Sequence, residues 1–372
     1  MSIAKIVITG GPCSGKTTGM NYLREKLSNL GYKVFIIPES ATEIISSGFN
    51  PKTATRQEFL RFEEKIILSQ IFHENMLLEF AEEVSSKGKK CVVLFDRGTM
   101  DARAYLENHE FNSILHKLSK TIIELRDKRY DAVIHMITAA NGAAQYYTLV
   151  NNAARQEVNL DEAISSCDRT VKAWVGHPHL RVVDNSTDFE GKIRRVYQEI
   201  CQVLGIPVPL EKERKFLISD FKLPSDLPVQ VVDIEQVYLK STKPDVEERV
   251  RRRGQDDSFV FYRTSKIPTD KSDTRQEQEW QISEDEYNFA VKYDADPLRL
   301  PVVKQRHVFL WNNVYYELDI IKSPNNSKGL TLLEVELTGD NNHLEIPDFI
   351  QIVKEVTGDK NFSNFYIALN QK

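Results

Sequence analysis

The stretch Lys5-Ile-Val-Ile-Thr9-Gly10-Gly-Pro-Cys-Ser-Gly15-Lys16-Thr17-Thr18 decides the fold of the first half of the chain. An apolar strand runs directly into the pattern G-x-x-x-x-G-K-[ST], and a helical stretch, Thr17–Leu30, follows at once. In that context the glycines let backbone N–H groups turn inward around phosphate oxygens, and the helix N-terminus adds partial positive charge. Gly11, Pro12, Cys13, Ser14, Gly15, Lys16, Thr17 and Thr18 are therefore the expected nucleotide phosphate site. Lys16 is expected to reach the β- and γ-phosphates, and the Thr17 hydroxyl to hold Mg²⁺ or Mn²⁺.

Outward from this loop, short apolar runs alternate with amphipathic helical stretches. The runs Lys33–Pro38, Cys91–Asp96, Ala132–Thr138 and Leu180–Asp184 read as strands. Thr55–Ser85, Asp101–Arg129 and Phe189–Leu204 read as helices. Such alternation predicts βαβ units and a mostly parallel sheet with flanking helices. At Gly205-Ile-Pro-Val-Pro-Leu210 two prolines and a glycine mark a boundary. The expected organisation is an α/β P-loop NTPase domain over 1–209 and an α+β domain built on an antiparallel β-barrel over 210–372. The second part reads as strands, with helices expected only at Glu284–Tyr293 and Pro347–Thr357.

In a parallel sheet, ligands lie beyond the carboxyl ends of the strands. Asp96 ends an apolar strand, where an acid can orient the magnesium. Arg97 follows it, and Glu39 stands just after the second strand. This arrangement resembles small P-loop kinases acting on nucleosides and related metabolites. The resemblance implies Glu39 as a base toward the substrate hydroxyl and Arg97 as a phosphate or substrate contact. It also makes the interval between the fourth and fifth strands a lid, with Arg155 or Arg169 approaching the transferred phosphoryl group. Asn185, after the fifth strand, would lie near the nucleotide base. His177 and His179 are expected to pack or hydrogen-bond at a strand entrance rather than to bind metal.

In the second half, period-2 alternation sets charged residues on shared faces. Glu211, Glu213 and Lys215 share one parity; so do Arg249, Arg251 and Arg253, Thr264 and Lys266, and Arg275, Glu277 and Glu279. Lys304 with Arg306, Glu317 with Asp319, and Glu334 with Glu336 continue the series. Both signs recurring through successive strands predict a charged lumen. Its Arg and Lys side chains would neutralise a polyphosphate-like anion, and its carboxylates would gather Mg²⁺ or Mn²⁺. The ordered set E-x-E-x-K, the Arg-rich third strand, T-x-K, R-x-E-x-E, K-x-R, E-x-D and E-x-E resembles the CYTH, or triphosphate tunnel metalloenzyme, family. That resemblance implies Glu211, Glu213, Glu334 and Glu336 as metal ligands. It implies Lys215, Arg249, Arg251, Lys266, Lys304 and Arg306 as phosphate contacts; by parity Arg253 and Arg275 join the phosphate contacts, and Glu277 and Glu279 join the metal ligands. The stretch that follows, Thr338-Gly-Asp340 through Asp359-Lys360, departs from the family pattern in its low basic content.

The two halves together resemble the TRPL translocation defect protein-like family, whose first domain is similar to nicotinamide riboside kinases. That likeness implies GTP or ATP binding, a phosphorylated small molecule or phosphoinositide headgroup for the lumen, and for some members a role in membrane-protein trafficking. Two functions stay open: an Mg-dependent kinase or NTPase coupled to a polyphosphate-binding or hydrolysing domain, and a non-catalytic nucleotide-dependent regulator. Composition bounds both. The 49 Lys and Arg against 54 Asp and Glu give a net charge of −5, which argues against a general nucleic-acid binder. No apolar run reaches membrane-span length, and the N-terminus lacks a signal-peptide profile, so a cytoplasmic location with peripheral membrane contact is expected. The four cysteines form no C-x-x-C pair.

Overall fold

A computed structural model of the chain describes residues 3–147, 157, 159–206, 212–241, 246–268, 275–312, 314–337 and 344–369; residues 212, 213, 267, 268, 275–278, 336 and 337 are described by their backbone alone. The chain divides into two compact units, Met1–Leu204 and Gly205–Lys372. The expected boundary at 209/210 lies outside the described residues.

In the first unit β1 (Ala4–Gly10) leads into α1 (Lys16–Asn29), then β2 (Lys33–Ile37), α2 (Ser40–Ser46) and the long α3 (Arg56–Ser86). Next come β3 (Cys91–Asp96), α4 (Asn108–Leu118), α5 (Ile122–Arg126), β4 (Ala132–Met136), α6 (Leu160–Trp174), β5 (Leu180–Val183) and α7 (Phe189–Val203). The five strands are parallel in the order β2-β3-β1-β4-β5. The chain leaves β1 toward β2 but leaves β3 toward β4, on opposite sides. The topological switch point therefore lies between the carboxyl ends of β1 and β3, where ligands of open α/β sheets bind. Ile6, Ile8, Leu94 and Ile134 are buried against Leu23 and Leu27 of α1 and Ile193 and Val196 of α7. That packing fixes the first helix behind the phosphate loop.

The stretch expected as one helix, Asp101–Arg129, is three pieces: a 3₁₀ segment Thr99–Tyr105, then α4 and α5. Local capping outweighs the helical period here. Leu106 is extended, Ser119 closes α4 at φ +52°, and the Thr121 hydroxyl accepts from the Glu124 amide at 3.2 Å to start α5 afresh.

The second unit is a nine-stranded antiparallel sheet. It contains β6 (Lys212–Phe221), β7 (Val229–Leu239), β8 (Glu247–Gln255), β9 (Ser258–Pro268) and β10 (Arg275–Ile282). After α8 (Glu284–Phe289) come β11 (Val302–Trp311), β12 (Val314–Ser323), β13 (Thr331–Leu337), β14 (Ile350–Glu355) and α9 (Asn364–Ile367). Strand order is β10-β9-β8-β7-β11-β12-β13-β6-β14. The antiparallel domain expected from sequence is present as this sheet; among the described residues no ladder joins β10 to β14. One face is apolar: Phe216, Ile218, Phe309, Tyr316, Leu318, Leu333 and Val335 form a buried cluster under Leu344, Ile346 and Phe349.

The expected helix Pro347–Thr357 is corrected, because Ile350–Glu355 is strand β14. Its β-branched residues suit a strand, and β6 offers a free edge, on which Arg214 and Glu355 pair at 2.7 Å. Among the described residues no helix is long and apolar enough to cross a membrane.

Leu333 sits fully buried in the cluster of the second sheet. Leu333→Ala is expected to cost about 2–5 kcal/mol, read as a lower urea midpoint for the transition of that sheet.

Candidate functional site

The phosphate loop is held open by close packing. Gly10 has φ +149° and Gly15 φ +90°, and a β-carbon on Gly11 would stand 2.6 Å from Cβ of Cys167 and 3.0 Å from Cβ of Thr138. The Thr138 hydroxyl donates to Pro12 O at 2.5 Å, and the Ala139 amide donates to Cys13 O at 3.2 Å. The loop thus rests on the stretch after β4 and on α6, whose Cys167 sulfur also takes a bond from the Gly11 backbone. No side chain caps α1, whose N-cap Gly15 is left-handed, so its first amides carry no internal side-chain acceptor. Ser14 is buried with no partner for its hydroxyl. Lys16 Nζ reaches back to Gly10 O at 3.3 Å and Gly11 O at 3.4 Å, while Thr17 and Thr18 are exposed at the head of α1.

Around this loop the structure gathers Lys16, Glu39, Asp96 and Arg97. Arg97 Nε donates to Glu39 at 2.5 Å and its Nη1 to Asp101 at 3.2 Å. Asp101 also accepts from the Thr9 hydroxyl, from the Gly98 amide at 2.8 Å and from the Trp174 indole at 3.3 Å. Arg97 is a non-glycine residue at φ +68° whose amide donates to Ile8 O at 3.1 Å. Such a conformation costs roughly 1–3 kcal/mol, here held by the bonds on both sides. Burial pulls the Lys16 ammonium down, and Arg97 adds to the effect against Asp96, Glu39 and Asp101. Burial pushes the Glu39 carboxyl up, but Arg97 and Lys16 outweigh it and hold it below the usual range. Glu39 also accepts from the Thr42 hydroxyl at 2.7 Å. Asp96 is raised, chiefly by burial, and its Oδ1 is buried without a hydrogen-bond partner.

Oxygen donors suit Mg²⁺ or Mn²⁺. An orphaned carboxylate oxygen on Asp96 and an exposed Thr17 hydroxyl fit such an ion at the phosphate loop.

Beside the rim lies a cavity of about 610 Å³, lined among others by Arg56, Phe59, Tyr105, Leu106, Glu110 and Arg169. Arg169 holds that wall through Ala104 O at 3.0 Å and Ser165 Oγ at 2.8 Å. Arg155 lies outside the described residues. Asn185 donates to Thr138 O at 2.8 Å and Asn141 O at 2.6 Å and accepts from Lys192 at 2.7 Å. It therefore braces the loops after β4 and β5. His177 faces Tyr130 O at 3.1 Å and accepts from the His179 amide at 3.1 Å, a packed role.

In the second unit, register places the charged residues on one face. Arg249 pairs with Thr264 and Tyr238, Arg251 with Tyr262 and Gln236, and Arg253 with Val260 and Ile234. Arg306 stands opposite Asp319 and Val232, Glu317 opposite Glu334, and Glu334 opposite Lys215. Backbone register sets Glu277 against Lys266 and Arg275 against Pro268. Arg253, Lys304, Arg306 and Asp319 are buried. Asp319 binds Lys304 at 2.5 Å and Arg306 at 2.6 and 2.7 Å; Arg306 also bonds Glu317, and Glu334 at 2.7 Å. Lys215 reaches Glu334 at 2.7 Å. Burial raises Glu334, but Lys215, Lys304 and Arg306 outweigh it and hold the carboxyl well below its usual range.

Of the carboxylates read as metal ligands, Glu279 accepts from Arg251 and Thr264, and Glu334 pairs with Lys215 and Arg306. Glu211 lies outside the described residues, as do the side chains of Glu213, Glu277 and Glu336. No group of three or more metal-ligating side chains occurs among the described residues.

Three participants were invisible as such in the sequence. Asp101 looked like one more acid after Arg97, and Asp319 like half of an E-x-D pair. Glu63, inside α3, is 2% exposed, and its Oε2 has no partner. A helical period marks which residues face inward but not whether a buried acid finds a donor.

The fold and loop define a P-loop nucleotide-binding domain. The family model described as "AAA domain" matches residues 5–192, and the chain belongs to that family. No curated protein matches the chain. Among solved structures, the inorganic triphosphatase NE1496 is 27% identical over 44% of this chain and 97% of its own, with a TM-score of 0.32. The PH1012 protein from Pyrococcus horikoshii OT3 is 21% identical over 36% of this chain and 80% of its own, with a TM-score of 0.26.

Burial pushes the Glu63 carboxyl up to about 8, against Arg56 and Arg97 and with Asp101. The folded chain thus keeps a proton that the unfolded chain, titrating near 4.5, releases. Stability is full below that lower value and falls as pH rises toward 8. Glu63→Gln is expected to leave the urea midpoint unchanged at the acid end. At the alkaline end it should raise stability, at about 1.4 kcal/mol per pH unit of the window as an upper bound.

Proposed function

We propose that the first unit is a small-molecule phosphotransferase. It moves the γ-phosphoryl group of ATP or GTP onto a hydroxyl of a metabolite seated in the cavity beside Tyr105 and Arg169. The observation that carries this reading is the convergence of Lys16, Glu39, Asp96 and Arg97 on the phosphate loop, next to a cavity of metabolite size.

The acceptor oxygen forms a bond to the γ-phosphorus as the bond to the β-phosphate oxygen breaks, and the hydroxyl proton leaves toward Glu39. A depressed carboxyl suits this step, because a loose transition state asks the base mainly to orient the hydroxyl. Lys16 and the loop amides hold the β- and γ-oxygens, and Arg97 meets the charge that spreads over the transferred group. Thr17 and Asp96 would hold Mg²⁺, which supplies charge neutralisation across the β- and γ-oxygens.

For the second unit we propose capture of a phosphate-dense ligand, a polyphosphate or a phosphoinositide headgroup, on the face carrying Lys215, Arg249, Arg251, Arg253, Lys266, Lys304 and Arg306. The order of charged strands resembles that of the triphosphate tunnel family. Phosphate oxygens would take over donors that now serve Glu334, Glu317 and Asp319.

Two measurements test the two parts. With Mg²⁺ and ATP or GTP, Lys16→Ala and Asp96→Asn should each lower phosphoryl-transfer turnover by on the order of 10²–10³. Wild-type rates in Lys16→Ala would end the reading. Arg306→Ala should abolish tripolyphosphate binding, measured by calorimetry, and leave the transfer rate of the first unit unchanged. Unaltered affinity would remove the second part.

A further inference from the structure

Two polar side chains one turn apart on α3 are turned fully inward: Gln70 is 3% exposed and Glu74 1%. Burying a side-chain amide costs free energy unless hydrogen bonds answer it. Here they do. Gln70 Nε2 donates to Glu74 Oε1 at 2.9 Å and to Arg97 O at 3.2 Å, and Gln70 Oε1 accepts from Ser40 Oγ at 2.9 Å. Both N–H groups of the amide and its carbonyl are therefore in use.

Glu74 decides which way that amide points. Its Oε1 also accepts from the Tyr130 hydroxyl and its Oε2 from Arg129 Nε, each at 2.6 Å. A carboxylate so paired takes an N–H and repels a carbonyl. The amide nitrogen therefore faces Glu74 and Arg97 O, and the amide oxygen is left to Ser40. The chain of bonds runs from Arg129 through Glu74 to Gln70 and then forks. One branch ends at Ser40, the residue after Glu39 and the first of α2. The other ends on the carbonyl of Arg97, whose backbone stands at φ +68°. The amides of that turn are held as well. Arg97, Gly98 and Thr99 donate to Ile8 O, Asp101 Oδ2 and Tyr130 Oη at 3.1, 2.8 and 2.9 Å.

We propose that Gln70 is a positioning residue for the phosphoryl transfer. It ties the backbone of Arg97 to the start of α2, and so fixes the Arg97 guanidinium against Glu39. The inference rests on the transfer reading, and Gln70 acts through Ser40 and Arg97 rather than on substrate. Packing alone does not ask for this link. An apolar side chain of the same size would fill the space and leave the Ser40 hydroxyl, the Arg97 carbonyl and Glu74 each one partner short. A non-glycine residue at positive φ persists only while its surroundings over-determine it. Loss of the carbonyl bond lets the turn relax and carries the guanidinium away from Glu39. A displacement of about 1 Å at such a site costs on the order of 10²-fold in rate.

Phosphate release from Mg·ATP and Mg·GTP by the full chain is the first measurement. Gln70→Leu should lower kcat by on the order of 10–10²-fold with the nucleotide KM within about twofold. Gln70→Glu keeps an acceptor for Ser40 but sets carboxylate against carboxylate, so it should not restore the rate. Glu74→Gln frees the amide to turn over and should give a smaller loss of the same kind. Ile200→Ala, a buried change on α7, is the control for lost stability. It should lower the urea midpoint and leave kcat unchanged. Wild-type kcat in Gln70→Leu would overturn the proposal, and so would an equal loss of kcat in Ile200→Ala. A second readout needs no turnover. The Arg97 Nε–H that bonds Glu39 should give a slowly exchanging resonance, protected in the wild type and in Ile200→Ala and unprotected in Gln70→Leu. A wild type that releases no phosphate counts against the transfer reading, and the resonance then decides for Gln70. Protection unchanged in Gln70→Leu would overturn the positioning role whatever the turnover.

Discussion

The grip of Arg97 on Glu39 and Asp101 is the interaction on which the first unit's chemistry depends. Arg97 stands at the end of β3, Glu39 just after β2, and Asp101 accepts from Thr9 of β1 and Trp174 of α6. One guanidinium therefore joins the ends of three neighbouring strands at the switch point of the sheet. The arrangement costs backbone strain at Arg97, and the bonds on either side over-determine it. A paired carboxylate at Glu39 and an unpaired one at Asp96 are thereby set side by side. Burial raises both carboxyls and Lys16 and Arg97 lower both; the balance leaves Glu39 below its ordinary value and Asp96 above it. In the proposed transfer, that separation would give the orienting of a hydroxyl to one acid and the holding of a metal to the other.

The second unit meets a different constraint. A charged face that is also buried must be electrically satisfied residue by residue. Asp319 achieves this at the centre by accepting from both Lys304 and Arg306, and Glu334 and Glu317 complete the ring. In the proposed capture of a phosphate-dense ligand, phosphate oxygens would take the positions these carboxylates hold.

Much of this was legible from spacing. The phosphate loop, the strand ends bearing Glu39 and Asp96, and the one-sided charge of β8, β11, β12 and β13 all follow from periods of 3.6 and 2. Segments where two periods competed were not legible. Ile350–Glu355 has β-branched residues and no helix-facing partner, and the open edge of β6 draws it into the sheet. Between Asp101 and Arg129, the caps at Ser119 and Thr121 break a pattern that amphipathicity alone would continue. Glu63 and Asp101 were opaque for another reason: burial of an acid is a property of what packs on it.

The sequence by itself determined that a glycine-rich turn ends a strand and opens a helix, and that charged residues share parity across the later strands. These are local rules, set by backbone sterics and by the alternation of side chains. Only the tertiary structure decided that Arg97 bonds Glu39 across 58 residues, that Asp319 accepts from both Lys304 and Arg306, and that Cys167 packs where any side chain on Gly11 would stand. Those outcomes depend on distances between elements far apart in the chain, which close packing fixes and local spacing does not carry.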